Sequence, residues 1–197
     1  MPSSVAHSMA GYVIYRATSG DTSRLEWRRL FFYCICSSLP DLDFIPGFLL
    51  GAPNKFHHGV SHSLGFAFGF GLCMSLILLF AKNQNALRNF VIFFSLYFSH
   101  VLLDLLSYDS SPPYGVPALW PITDNYYISP ISVFLDIQRD RASETFIRSL
   151  LSFHNFLAIL IETVIFLPLV IVVSLFKRNK ARIAGKIFQS KGFVYKN

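Results

Sequence analysis

Apolar positions run along this chain in long blocks, without the period of two that marks half-buried strands. Leu64 to Ala81 is eighteen residues without a charge. That length predicts a membrane-spanning helix. Its glycines at 65, 69 and 71 predict close packing against a neighbouring helix. Phe90 to Ser107 predicts a second span, interrupted only by His100 and Asp104, and Phe156 to Phe176 a third, broken by Glu162 and Pro168. Two shorter helices precede them. Val5 to Tyr15 is mildly apolar, with Ser3 or Ser4 as its cap. The other runs from about Arg24 to Ser38 and is stopped by Pro40. Thr18 to Thr22 is a turn, 82–89 a polar loop, and Asp41 to Asn54 an irregular or re-entrant segment holding Pro46, Gly47, Gly51 and Pro53. Tyr108 to Ile131 is rich in Pro, Gly and aromatics without a helical period, and Asp136 to Ser149 is polar and amphipathic. The pattern predicts an all-α helical membrane bundle with three and up to five membrane helices. Residues 1–176 form one membrane domain, and 177–197 a basic cytoplasmic tail.

Composition agrees. Of 197 residues, 53% are apolar and 14% charged, where a soluble domain carries roughly 25% charged residues. Cys34, Cys36 and Cys73 all lie in apolar runs. Their odd number and placement exclude a disulfide framework and a cysteine metal site, and they read as small core residues. Residues 1–20 have no basic stretch ahead of their apolar residues, so they do not read as a secretory signal peptide.

The net charge of +6 is a topology signal, not a nucleic-acid signal, because the basic residues sit at the ends of apolar segments. Suppose the helices alternate in direction. One side then carries Arg16, Arg24, Arg28, Arg29, Lys82, Arg88, Lys177, Arg178, Lys180, Arg182, Lys186, Lys191 and Lys196. The other keeps Lys55, Arg139, Arg141 and Arg148. Thirteen against four places the first side, with the C-terminal tail, in the cytoplasm. The reading is an integral membrane protein of the bacterial inner-membrane type. No nucleic acid is expected, and oligomeric state is not legible.

The same alternation gathers the chemistry at the other side. Three of the six histidines fall in His57-His58-Gly59-Val60-Ser61-His62-Ser63-Leu64. His7 starts the first helix, Asp41 and Asp43 follow the second, His100 and Asp104 close the fourth, and His154 opens the fifth. His100 and Asp104 are four apart and share a helical face, so they can offer one metal a nitrogen and an oxygen. They can also form a structural hydrogen-bonded pair. His58 and His62 share a face if the helix already starts there; otherwise His57 and His58 lie in a loop. Asp41 and Asp43 share a side in an extended segment, one a ligand and the other a partner orienting a histidine, or they are turn residues. Glu162 is a ligand, a general base, or a protonated acid within the bundle. His154 is an interfacial residue or part of the site. Tyr114 to Pro117 shape a substrate entrance, while Trp120, Tyr126 and Tyr127 read as an aromatic belt.

These elements together resemble a known family. His7 in Ala-His, Leu39-Pro40-Asp41-Leu42-Asp43, His57 to Leu64, Ser99-His100-x-x-x-Asp104 and Gly115-Val116-Pro117-Ala118-Leu119-Trp120-Pro121 look like the YdjM-like family of membrane-bound, metal-dependent hydrolases. The likeness covers about residues 5 to 122. Family members commonly read His-Arg-Gly-x-Thr-His-Ser-Leu. Here His58 stands for the Arg and Ser61 for the Thr, so His57 is the family-matched histidine. The family is in turn distantly similar to zinc-dependent phospholipase C and related nucleases, which carry a later His-x-x-x-Glu. This chain has Ala158 four residues after His154, which does not support a three-metal site.

The resemblance and the residues together predict metal-assisted hydrolysis of a phosphoester, a phosphoesterase with a small-molecule or lipid-like substrate. His7, Asp41, His57, His58, His62, His100 and Asp104 are the expected ligands of one or two divalent ions. The ion is Zn²⁺ by its His and Asp ligands without Cys. Asp43 or Glu162 is the general base. Membrane lipids are the expected surroundings. The alternative is a membrane metal-binding or transport protein without chemistry, which also places His, Asp and Glu inside a bundle. The charge asymmetry predicts that a single cysteine at Asn85→Cys reacts with a membrane-impermeant thiol reagent only after the cells are opened. Strong labelling in intact cells reverses the orientation.

Overall fold

The computed structural model describes residues 1–20, 25–83, 85–110, 112–140 and 142–194; side chains at 143 and from 180 onward are not described. Arg24, Arg141, Asp21 and Thr22 of the expected turn, and the tail's lysines and arginine from Lys180 lie outside the described residues or side chains. The elements are α1 (Ser4–Thr18), α2 (Trp27–Ser38), a 3-10 turn (Leu39–Asp43), α3 (Phe44–Leu49), a second 3-10 turn (Pro53–Lys55), α4 (Leu64–Phe80), α5 (Ala86–Leu105), α6 (Ser143–Ser149) and α7 (Phe153–Val194). No strand occurs among the described residues; Ser107–Phe134 and Val116–Tyr127 form isolated bridges.

α5 is the central helix and touches α1, α2 and α4. Its buried residues, among them Ile92, Phe93, Leu96, Tyr97, His100, Val101 and Asp104, recur at helical spacing along one stripe. α1 fills the angle between α2, α5 and α7. Tyr15, Leu30, Tyr33, Cys36, Phe93 and Leu96 form the core at one end of the bundle. The outer faces carry large apolar side chains such as Trp27, Phe31, Phe80 and Phe176 in full exposure, the arrangement lipid tails favour. Cys36 is buried as expected, but Cys73 is exposed on α4 and is not a core residue.

Among the described residues, two helices are long and apolar enough to cross a membrane: α5, and residues Phe153–Asn179 of α7. α4, expected as a third span, has 17 residues. At 1.5 Å per residue it reaches about 26 Å, short of the roughly 30 Å hydrocarbon core. α7 runs without a break past Phe176 into the basic segment, Pro168 included.

The alternation of helix directions is plain in the contacts. The Arg88 guanidinium donates to the Thr18 carbonyl at 3.0 Å, and Lys177 Nζ to the Ser19 carbonyl at 2.6 Å. The end of α1, the start of α5 and the middle of α7 therefore share one end of the bundle. The histidines lie at the other.

A long segment, 106–142, folds over that histidine end. Tyr108 N donates to Phe134 O and Val116 and Tyr127 exchange backbone bonds. Its Ala118-Leu119-Trp120 stretch caps α4. Leu64 N donates to Ala118 O at 2.8 Å and Gly65 N to Trp120 O at 3.0 Å, while Ser63 Oγ accepts from Phe66 N. These bonds satisfy donors that a helix start otherwise leaves open.

Two of α4's three glycines are close-packed. A Cβ at Gly71 would meet Phe94 of α5 at 3.0 Å, and one at Gly65 would meet Pro121 Cδ and the Trp120 carbonyl at 2.7 Å; at Gly69 nothing lies within 4 Å. Gly65→Ala is therefore expected to destabilise the fold by about 1–3 kcal/mol, the usual cost of overpacking. Gly69→Ala is expected to be neutral or slightly stabilising. Thermal unfolding in detergent measures both; equal midpoints would refute the capping contact.

Candidate metal centre

Four separate parts of the chain bring the site together. α5 presents His100 and Asp104 from one face, α1 presents His7 from its first turns, the 3-10 turn presents Asp41 and Asp43, and the 56–63 loop presents His62. His7, His62 and His100 are fully buried, and Asp104 nearly so. His62 comes from a turn just ahead of α4, so the helical His58–His62 pair is replaced by the loop reading. Asp41 and Asp43 lie in a 3-10 turn, not in an extended segment.

The donor atoms converge. His62 Nε2 lies 3.2 Å from His100 Nε2. Asp104 Oδ2 is 3.3 Å from His100 Nε2 and 3.5 Å from His62 Nε2. Asp41 Oδ1 is 3.5 Å from His100 Nε2 and 3.9 Å from His62 Nε2. His7 Nε2 lies 3.6 Å from Asp104 Oδ1, and its ring stacks on His100 at 3.6 Å between centroids. Three sets of donors lie within reach of a single ion: His7, Asp41 and His100; Asp41, His57 and His62; and His62, His100 and Asp104.

The hydrogen bonds behind the cluster decide which nitrogens face it. His100 Nδ1 donates to the Ser37 carbonyl at 3.0 Å; a carbonyl only accepts, so that nitrogen carries the proton. Asp43 receives Nδ1–H bonds from His57 at 2.9 Å and from His62 at 3.2 Å, and the Ser61 hydroxyl at 3.1 Å. Burial pushes the Asp43 carboxyl up, but the bonds from His57 and His62 more than offset this and hold it below the usual carboxylate range. Asp43 is therefore an acceptor, and the Nε2 atoms of His62 and His100 are turned toward the same point. Two lone pairs and two carboxylates facing one another in a buried space repel unless a cation or extra proton lies between them. The same point collects buried atoms without a hydrogen-bond partner among the described residues: both nitrogens of His7, Asp41 Oδ1, and both oxygens of Asp104. Such atoms are rare in native interiors and call for a partner. A divalent ion bound by imidazole and carboxylate suits one nitrogen of His7 and the oxygens of Asp41 and Asp104.

The neighbouring side chains hold this arrangement. Ser37 Oγ donates to the His7 carbonyl, and the Tyr97 hydroxyl to the Ser61 carbonyl. His57 sits at the rim, with Nε2 against Met1 Sδ and its ring stacked on Phe44. His58 leaves the cluster. Its backbone is left-handed (φ 61°), and Nδ1 faces Asp109 Oδ2 at 3.5 Å. Glu162 is buried but is engaged by Ser3, whose backbone N and hydroxyl both donate to its carboxylate. His154 faces the Asp136 carbonyl at 2.9 Å, apart from the cluster. Sequence reasoning missed Ser37 and Tyr97, which act through backbone carbonyls and leave no pattern. It also missed Asp109, and used Arg139 only as a charge count. The signal for Arg139 was its isolation, as one of four basic residues on the histidine side.

A family described as YdjM inner membrane protein matches residues 1–181. No curated protein and no solved structure matches the chain, so the distant likeness to zinc-dependent phospholipase C and nucleases gains no support.

The geometry separates the two aspartates. Asp41→Asn is expected to lose metal from purified protein, because it removes a charged donor from the cluster. Asp43→Asn is expected to keep the metal with affinity lowered about 10–100-fold, as for a lost orienting partner. His58→Ala is expected to keep it unchanged. Metal content by elemental analysis tests all three, and metal loss from the His58 variant with retention in the Asp41 variant would overturn the assignment.

Proposed function

Because the chain belongs to the YdjM inner membrane protein family, we propose that it is a membrane-bound metal-dependent hydrolase acting on a phosphoester. One observation carries the reading: the Nε2 atoms of His62 and His100 converge at 3.2 Å beside the carboxylates of Asp41 and Asp104. His7, Asp41, His62, His100 and Asp104 would hold one or two divalent ions, of which Zn²⁺ best suits nitrogen and carboxylate donors without thiolate. A bound ion of this kind lowers the pKa of water and polarises the scissile group.

The chain's own residues divide the remaining work. Asp43 is a positioning residue, since its carboxylate is occupied by His57, His62 and Ser61. Glu162 acts at one remove. It fixes Ser3 at the head of α1, and the His7 backbone N bonds to the Ser3 carbonyl one turn on. The histidine end lies outside the cytoplasm by the charge asymmetry, so the substrate is met at the outer face of the inner membrane.

A metal-binding protein without chemistry would share these ligands, and turnover divides the two readings. His100→Ala and Asp104→Ala are expected to lose metal while retaining the helical content of the parent. Their turnover of a phosphoester panel is expected to drop by more than the about 100-fold that an orienting partner alone accounts for. A metal-loaded parent that cleaves nothing in a panel spanning soluble and lipid phosphoesters would leave the non-enzymatic reading. Unchanged metal in both variants would leave only a structural His–Asp pair.

A further inference from the structure

Two cavities of different character meet at one side chain. The first, about 570 Å³, is mixed and the more polar of the two; Lys55, His57, His58, Asp109, Tyr126 and Arg139 are among its walls. The second, about 430 Å³, is mostly apolar; Phe44, Phe48, Phe146, Leu150 and Ile159 are among its walls, beside Met1 to Val5, with Asp41 and Arg139 as charged side chains. Each reaches the metal-centre region, one through His57 and the other through Asp41, and both share Arg139. The Arg139 guanidinium stands over the Phe44 ring at 5.1 Å, and Phe44 stacks in turn on His57. Phe44 and Phe48 pack edge-on against Phe146. The apolar cavity also adjoins an apolar outer surface. Ile147, Leu151 and Phe153, next in sequence to or near its lining residues, are 64%, 86% and 80% exposed.

We infer that this pair of cavities binds a lipid phosphate ester, with its phosphate at Arg139, one acyl chain among Phe44, Phe48, Phe146 and Ile159, and its polar end in the Lys55–Tyr126 cavity. Binding sites of this size suit a single small ligand. A fixed cation at the boundary between an apolar and a polar space is where an amphiphile keeps its anionic group. Arginine suits a phosphate because its planar fork donates two parallel bonds. The exposed apolar side chains of Ile147, Leu151 and Phe153 beside the cavity suit the approach of an acyl chain. The fate of the ligand rests on the hydrolase reading; its binding does not.

The test uses the full chain, purified in detergent, and a long-chain phosphonate analogue of phosphatidic acid with a diazirine at the end of one chain. The phosphonate has no ester oxygen between phosphorus and glycerol carbon, so cleavage there cannot consume it. After irradiation, the label is expected on peptides holding Phe44, Phe48, Phe146 or Leu150. Unlabelled phosphatidic acid should compete; glycerol 3-phosphate, which lacks the chains to bury, and diacylglycerol, which lacks the phosphate for Arg139, should each compete at least about 10-fold less well. Arg139→Gln should weaken labelling by a similar factor, with Arg139→Lys between the two because it keeps the charge and loses the fork. Label confined to the outward faces of α4 and α5, or diacylglycerol competing as well as phosphatidic acid, would overturn the proposal. Because competition is read on the parent protein, a misfolded variant does not blunt the test. Metal retention by the parent alongside such a failure removes the lipid and leaves the metal centre intact.

Discussion

The bundle is arranged around a point where His62 Nε2, His100 Nε2 and the carboxylates of Asp41 and Asp104 converge. His100 keeps its Nε2 aimed inward, because its Nδ1 donates to the Ser37 carbonyl. His62 is fixed in the same sense by Asp43. In water such a meeting of acceptors would be dispersed by solvent. Inside a bundle the dielectric is low and charges interact strongly, so the arrangement stands only with a positive partner. A proton or a metal would each supply it. The number of donors, their mixed nitrogen and oxygen character, and the unsatisfied atoms of His7 and Asp104 favour the metal.

Holding five donors at one point requires several distant segments to be fixed at once, each by bonds that do not involve the donors' free atoms. Ser37 grips the backbone of His7; Tyr97 grips the backbone beside His62. Glu162, some 159 positions from Ser3 in sequence, fixes the start of α1 from across the bundle. The 106–142 segment ties its Ile137 N to the Met1 carbonyl and caps α4 from its other part. These contacts hold the site's carriers without using the donors' free atoms. That is what a strong and selective metal site needs, since orientation of the ligands by outer partners sustains affinity.

Much of this was legible in the sequence, and for identifiable reasons. Long apolar blocks and the sign of the loop charges predicted helices of alternating direction, and with them one end rich in His and Asp. The His100–Asp104 pair was readable because helical spacing alone puts both on a face. Lengths were less legible. Ala81 leaves α4 one residue earlier than the apolar run suggests, and α7 continues where the composition turns basic, because lysine and arginine are good helix formers. His58 shows the limit of counting by spacing. Four residues from His62 would have placed it in the site on a helix, but a left-handed backbone at His58 turns it to Asp109. Glu162 was legible as functional only by its burial in an apolar run. Nothing local to it indicates that its partner is Ser3.

Asp41 and Asp43 were expected to work as a pair, and they do, through a geometry different from the one that suggested it. In a strand, residues two apart point the same way. In a 3-10 turn, at three residues per turn, they differ by about 240°, so their carboxylates diverge. The loop before α4 then threads His62 between them. Asp41 faces Nε2 of that ring at 3.9 Å, and Asp43 faces Nδ1 at 3.2 Å. One imidazole is addressed from both ends by two carboxylates on one turn, which gives them unequal duties. The carboxylate at Nδ1 removes the choice of tautomer. The carboxylate at Nε2 adds its own charge to the point the ring is aimed at. Pro40 contributes by ending α2, which places this divergence against the histidines and leaves Asp41 and Asp43 outside a helix where they would have faced one another's backs.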